Sequence, residues 1–325
     1  MEALAAGAGH ERGPPKRLEA RVRRAVHAPD PRWRAGGRRP RGGGHLRDPD
    51  ARGGGVSAGT SDVQSRRTGD GVLGGTSGGT SGAVPGVSFV VPAHNEAAEL
   101  PETLGAIHAA GRALGLAYEI VVADDDSDDG TGALALAHGA RLVQHQRRQI
   151  AATRNLGASA AAGAWLVFVD ADTRVSAGAV REALDALAAG AVGGGAPMRF
   201  DGWIPWYARA LLPLFNGLFR LCRRTGGAFL FCTAEALRDA GGWDETLYAS
   251  EELTLAAGLW RRGRFVVIRT PVTTSGRKLR THSAREMFGL LARALWYRRA
   301  MLTDRAQLGH WYDARRPDPH RGGPG

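Results

Sequence analysis

A single doubly wound, mostly parallel α/β sheet is the fold this chain predicts, on three observations. Short apolar runs alternate with helical stretches between residues 87 and 172, the rhythm of parallel βαβ units. Trp165-Leu166-Val167-Phe168-Val169 is apolar at every position, as suits a strand covered on both faces. Asp170-Ala171-Asp172 follows at once, placing two carboxylates at the carboxyl rim, where open α/β sheets bind ligands. Such a pair can hold a divalent metal, and the metal a diphosphate. Acidic residues also end strands for solubility alone.

The elements follow in order. Val87-Ser88-Phe89-Val90-Val91 reads as the first strand, stopped by Pro92. From Glu96 to about Leu114, Leu100, Leu104 and Ile107 recur at helical spacing. Tyr118 to Ala123 is a second strand, running into the acidic stretch 124–129. A short helix from Thr131 to His138, a strand from Ala140 to Val143 and an Ala-rich helix over 149–162 lead to the apolar strand 165–169. The second half is less regular: a helix near 176–189, a strand near 191–200, a helix near 204–222 and a Gly-rich loop at 226–227. Helices near 233–240 and 251–262 and a strand from Phe265 to Ile268 complete it.

Composition sets the boundaries. Residues 1–84 are rich in Gly, Arg, Pro, Ser and Thr and poor in large apolar residues, so they cannot bury enough surface to offset chain entropy and are expected to be disordered. They carry 15 Lys and Arg against 8 Asp and Glu, most of the formal +11 charge. That charge is scattered without interleaved aromatics, so no nucleic-acid partner is expected. Residues 85–302 form one domain, and 303–325, where Pro, Arg and Gly return, a loose tail. Cys222 and Cys232 make no disulfide framework or zinc cluster. No apolar leader follows Met1 and no apolar run is long enough to span a bilayer. A cytoplasmic protein is therefore expected, with attachment to the inner membrane face as a variant of that expectation. The aromatic and cationic stretch from Trp203 to Leu221 suits either a buried packing helix, the preferred reading, or a membrane-interface helix. Met287 to Met301 has the same mixture.

Four constellations can carry chemistry. Val91-Pro92-Ala93-His94-Asn95-Glu96 joins a strand end to a helix start, where backbone N–H groups can face a ligand; an ordinary helix start looks the same. The acidic run after the second strand can accept hydrogen bonds from a base or ribose, or be a solvated turn. Arg154-Asn155 offers a forked donor on an Ala-rich helix, a pattern also of solvated faces. Asp170-Ala171-Asp172 is the fourth. No Gly-rich phosphate loop follows the first strand, which argues against a dinucleotide-binding dehydrogenase or a P-loop enzyme.

Taken in order, Val-Val-Pro-Ala-His-Asn-Glu, Asp-Asp-x-Ser-x-Asp-Gly-Thr, Arg-Asn-x-Gly-Ala and Asp-Ala-Asp resemble a family 2 glycosyltransferase of the GT-A fold. The similarity continues through Thr225-Gly226-Gly227-Ala228-Phe229, Ala240-Gly241-Gly242-Trp243-Asp244-Glu245, Ser250-Glu251-Glu252-Leu253 and Thr274-Ser275-Gly276-Arg277-Lys278, covering about 87–283. The resemblance implies a nucleotide-binding half and an acceptor half. Pro92, His94 and Glu96 would line the nucleotide pocket, Asp124 and Asp125 would hold base and ribose, and Arg154 would meet the uracil or diphosphate side. Asp170 would approach the ribose, sugar or metal, and Asp172 would ligate Mg²⁺ or Mn²⁺. Gly226, Gly227 and Trp243 would shape the acceptor floor. Glu252 falls at the catalytic base, with Glu251 as rival, and Arg277 and Lys278 would close over the diphosphate. His282 is a further candidate metal ligand. The chain departs from the pattern at Asp126, where a small residue, often Gly, is usual, and at Glu252, where Asp is usual.

The function so implied is metal-dependent transfer of a sugar from a UDP-, GDP- or dTDP-linked donor to a hydroxyl of a sugar or lipid-linked acceptor, with inversion. A sugar-phosphate nucleotidyltransferase would also place a metal-binding carboxylate on an α/β sheet, but ordinarily with a Gly-rich basic loop after the first strand. A non-catalytic sugar-binding module of the same fold would lack a metal ligand or base, and both positions here hold carboxylates.

Overall fold

The computed structural model describes residues 86–281. The expectations for 1–84, His282, 287–301 and 303–325 lie outside the described residues.

The first half is built as the apolar pattern requires. β1 (Val87–Ala93), β2 (Tyr118–Asp125), β3 (Arg141–His145) and β4 (Trp165–Val169) lie parallel in the order β3-β2-β1-β4. α1 (Leu100–Leu114), α2 (Thr131–Ala137) and α3 (Ile150–Ala160) are the crossovers. Leu100, Leu104, Ile107 and Leu114 form the buried stripe of α1, and Gly115 ends it in the left-handed conformation that favours glycine. α3 lies close on the sheet: a Cβ at Gly157 would sit 2.5 Å from Val90 Cγ1. β1 runs through Pro92 instead of stopping there. Its pairing with β4 ends at Val90, so beyond that point β1 pairs only with β2 and a residue without an N–H is tolerated.

The second half extends the sheet with antiparallel pairing. β8 (Phe229–Thr233) pairs antiparallel with β4, and β6 (Gly193–Gly195) antiparallel with β8 and parallel with β9 (Phe265–Val267), giving seven strands in the order β3-β2-β1-β4-β8-β6-β9. Phe89, Phe168, Phe229 and Phe231 are fully buried on its faces. The helices of this half are α4 (Ala177–Ala188), α5 (Trp206–Leu221), α6 (Ala234–Ala240) and α7 (Glu251–Trp260).

Two expectations are corrected. The strand near 191–200 is two strands in different sheets, because the chain turns at Ala196-Pro197 between β6 and β7 (Met198–Phe200). The sheet is also not single. β5 (Thr173–Arg174), β10 (Val272–Thr274) and β7 form a second, three-stranded sheet, which leads into the short helix α8 (Arg277–Thr281).

Candidate active site at the carboxyl rim

The loops after β1, β2, β3 and β4 meet at one edge, and the predicted residues lie there. Asp125, the last residue of β2, is buried and accepts hydrogen bonds from the backbone N–H groups of Arg147 (2.8 Å), Arg148 (2.8 Å) and Gln149 (2.7 Å) and from Thr153 Oγ1 (2.9 Å). His145 Nε2 stands 3.5 Å away. Burial opposes its ionisation, but the donors of His145, Arg148, Gln149 and Thr153 outweigh burial and hold it well below the usual carboxylate range. Asp125 therefore fixes the loop that starts α3, with both carboxylate oxygens engaged within the protein. Asp124 is likewise enclosed, accepting from Ser127 Oγ and from Gln144 Nε2 at 2.9 Å.

The loop after β1 is laced to the loop after β2. Asn95 N donates to Ser127 Oγ (2.9 Å), Glu96 N to Thr131 Oγ1 (2.8 Å) and Ala97 N to Asp129 Oδ2 (2.9 Å). The expectation that these N–H groups face a ligand is corrected, because side chains of the neighbouring loop already accept from them. His94 Nδ1 lies 2.7 Å from the Asp125 carbonyl oxygen, and Pro92 is buried within β1.

Among the described residues, four of the five non-glycine residues with positive φ lie in the loops after β1, β2 and β3 or just before Glu251: Asn95 (52°), Asp126 (63°), Arg148 (51°) and Ser250 (62°). Such residues tend to gather at functional sites. They also account for Asp126: its backbone is in the left-handed region, where Gly is at ease and Asp among the better tolerated substitutes. Its carboxylate is exposed, with Arg148 Nη1 4.0 Å away.

Arg154 is the centre of the arrangement. It is buried, and α3 carries it there because Asp125 anchors that helix one turn earlier. Nη1 donates to Glu251 Oε1 at 2.5 Å, Nη2 to Asp170 Oδ1 at 2.8 Å, and Cζ lies 4.5 Å from the centroid of the Trp243 ring. Burial works against its charge, but Asp170 and Glu251 outweigh that and keep Arg154 ionised at any working pH. Glu251 begins α7 and is itself buried. Beside it Glu252 is half-buried and pushed up to about 7, first by burial, next by the Glu251 charge and more weakly by Asp170, against the pull of Arg154.

Gly227 leaves room for the guanidinium: a Cβ there would stand 3.1 Å from Arg154 Nη2. Gly226 leaves room for Met198, whose Cε would be 2.6 Å from such a Cβ. Trp243 is corrected as an acceptor contact. It is 1 % exposed, packs edge-on to Phe168 at 5.1 Å and supports Arg154 from below. A cleft of about 590 Å³ beside α7, lined by Asn155, Gly242, Trp243, Thr254 and Arg261 among others, borders none of the other predicted site residues.

Asp172 lies just beyond β4, its Oδ1 accepting long hydrogen bonds from Thr274 Oγ1 (3.3 Å) and Thr173 Oγ1 (3.5 Å), while its carbonyl accepts from Ser275 N (3.1 Å). Arg277 follows in the same segment, its Nη2 3.9 Å from Glu96 Oε2. Lys278 is in α8, its side chain outside the described set. Among the described residues no three His, Cys, Asp or Glu side chains gather around a common metal position. The oxygen-only donors of Asp170 and Asp172 would suit a hard divalent cation, with its remaining ligands supplied from outside the protein.

Two sets of contacts at the site were not foreseen from sequence. Asn155 accepts from Trp243 N (2.9 Å) and donates to Trp243 O (2.9 Å), fixing the indole under Arg154. Asp201 accepts from Gly276 N (2.7 Å), Arg174 Nη2 (2.8 Å) and Arg280 Nη1 (3.2 Å), and so holds the segment that carries Arg277. Asn155 sits in the quoted Arg-Asn motif, but Asp201 stands in no recognisable motif.

Known proteins share this arrangement of strands and motifs. The chain is 39% identical over 113 residues to the succinoglycan biosynthesis protein ExoO of Rhizobium meliloti, covering 33% of this chain and 32% of that protein. It is 34% identical over 126 residues to an uncharacterized glycosyltransferase of Mycobacterium tuberculosis, covering 38% and 54%. The chain thus spans about a third to a half of the length of these relatives. A mannosyltransferase from Pyrobaculum calidifontis, solved with GDP-mannose and Mn²⁺, superposes with a TM-score of 0.50 at 22% identity over 65% of this chain and 61% of its own. That likeness establishes the GT-A fold. The profile of glycosyl transferase family 2 matches residues 88–240, from the first strand to the end of α6, and over that stretch the chain is similar to members of that family.

Proposed function

We propose that the protein transfers a sugar from a nucleoside-diphosphate donor to an acceptor hydroxyl, with inversion at the anomeric carbon. The observation that carries this reading is the pairing of buried Arg154 with buried Glu251 and half-buried Asp170, with Glu252, poised near neutrality, beside it. A carboxyl group with a pKa close to working pH is matched to general-base work.

The roles divide by position. Glu252 takes the proton of the acceptor hydroxyl as its oxygen attacks. Glu251, committed to Arg154, is a positioning residue and not the base. Arg154 holds Asp170 and Glu251 in fixed relation, so the donor side and the acceptor side keep their spacing. Asp124, Asp125 and the paired loops after β1 and β2 shape the wall of the nucleotide pocket, Asp125 by ordering a loop and not by direct contact. His94 and Glu96 line that wall, and Arg277 and Lys278 offset the charge that grows on the departing diphosphate. Asp172, with Asp170 beside it, would hold Mg²⁺ or Mn²⁺, which supplies further charge stabilisation to the diphosphate when bound.

The supporting experiment measures release of UDP, GDP or dTDP from the matching nucleotide sugars with and without Mn²⁺. Acceptor-dependent release that disappears in Glu252→Gln, with donor binding retained, supports the reading. Unchanged release in that variant would sink it.

A further inference from the structure

The helix α5 turns its apolar side outward. Trp206, Leu214, Leu218 and Leu221 recur at helical spacing on one face and are 48–81 % exposed, and Trp203, just before the helix, is 58 % exposed. Burial of this helix, the reading preferred from sequence, is corrected: no described residue of α5 is fully buried. Its orientation is fixed from the opposite side. Asn216 Oδ1 accepts from Met198 N (3.1 Å) and Asn216 Nδ2 donates to Met198 O (3.0 Å), two bonds that tie α5 to β7.

Charge decides what covers this face. Arg209 and Arg220 border the stripe, Arg223 follows it, and all three are exposed. No Asp or Glu occurs from Gly202 to Ala234. A second copy packing face to face would set these arginines against each other with no acidic partner in the strip. The chain beyond the described residues is itself cationic, both in 1–85 and in 282–325, so it is no better matched. An anionic lipid surface fits on both counts: it accepts the leucines and the amphipathic indoles at the level of its headgroups and neutralises the arginines. Among the described residues no helix is long and apolar enough to cross a membrane, so α5 would lie in the plane of the interface.

We propose that α5, with Trp203, is a docking surface for anionic membrane. The inference stands apart from the catalytic reading, and its test uses no nucleotide sugar. The full chain is floated with vesicles of phosphatidylcholine alone and of phosphatidylcholine with phosphatidylglycerol at about 7:3. Flotation is expected with the anionic vesicles only, falling about tenfold or more in high salt. Trp203→Ser/Trp206→Ser/Leu214→Ser/Leu221→Ser, and separately Arg209→Gln/Arg220→Gln/Arg223→Gln, should each lose about tenfold or more in partitioning while melting like the parent, since the replaced side chains are exposed. The proposal is overturned if the parent does not float with anionic vesicles, if both variants float as well as the parent, or if α5 variants abolish a stable dimer in sedimentation equilibrium instead of vesicle binding.

Discussion

Removing the guanidinium of Arg154 should cost stability. In Arg154→Met the side chain keeps much of its length over Trp243 but loses its charge. Arg154 and Glu251 side chains are 3 % and 6 % exposed, and breaking a buried pair by removing one partner typically costs about 3–5 kcal/mol. The Asp170 partner is 32 % exposed, so solvent screens it and its loss adds at most about 1 kcal/mol. About 4 kcal/mol in a domain of this size lowers Tm by about 8–16 °C. Urea denaturation at pH 7.5 measures this cost directly. The double variant Arg154→Met/Glu251→Met removes both charges and should recover much of the loss, giving a coupling energy above about 2 kcal/mol. A single-variant cost under about 1 kcal/mol at pH 7.5 would refute the account of a buried ion pair at the heart of the site.

Further expectations follow from the same geometry. Glu252→Gln should leave donor binding near normal and lower transfer by about 10²–10⁴-fold, checked by calorimetric titration of donor against turnover. Because Glu252 is pushed up to about 7, acceptor-dependent kcat/KM of the parent should fall about tenfold per unit as pH drops below that value and the base is protonated. The sign for stability is opposite: the folded state holds this proton more tightly than the unfolded state, so the Glu252 contribution is lost as pH rises through about 7, and Glu252→Gln should flatten that part of a Tm-versus-pH curve. Asp125→Ala should destabilise the domain by about 2–4 kcal/mol at pH 7, by orphaning several buried donors. Since the Asp125 pKa is depressed, that difference should shrink as the pH falls through the acid range where the parent carboxylate is protonated. Asp172→Ala should abolish the Mn²⁺-dependent part of nucleotide binding while leaving the melting curve of the apo protein within about 1 kcal/mol of the parent.

The parts legible in the sequence were those with a period or a junction. The unbroken apolar run of β4 and the two carboxylates after it located the rim, and the stripe of Leu100, Leu104 and Ile107 located α1. Arg154 was visible as a member of a motif, but its burial was not, because an Ala-rich helix gives little contrast between its faces. Strands of two or three residues, such as β5, β6 and β10, are too short to show alternation. β6 is three glycines, with no side chain to reveal it; at Gly194 a Cβ would fall 2.0 Å from the Val266 carbonyl oxygen. The tie between Asn155 and Trp243 joins residues 88 positions apart, and no local pattern announces such a bond. The outward turn of α5 was illegible for a different reason: amphipathicity says that a helix has an apolar side, not which way that side points.

The three-stranded sheet gives the molecule a bracket that belongs to neither half alone. β5 continues the chain from Asp172, β10 leads on to Arg277, and β7 holds α5 through Met198. The Asp172 carboxylate, the Arg277 guanidinium and the surface helix are thereby mounted on a common frame only a few residues wide, while Asp125 and the loops after β1 and β2 are mounted on the larger sheet. Homologous chains could exchange the β7–α5 stretch for another of similar span and alter what docks outside, provided the ladder from β5 to β7 keeps its register. Grafting the corresponding stretch from a relative therefore offers a route to redirect such a protein without rebuilding its donor pocket.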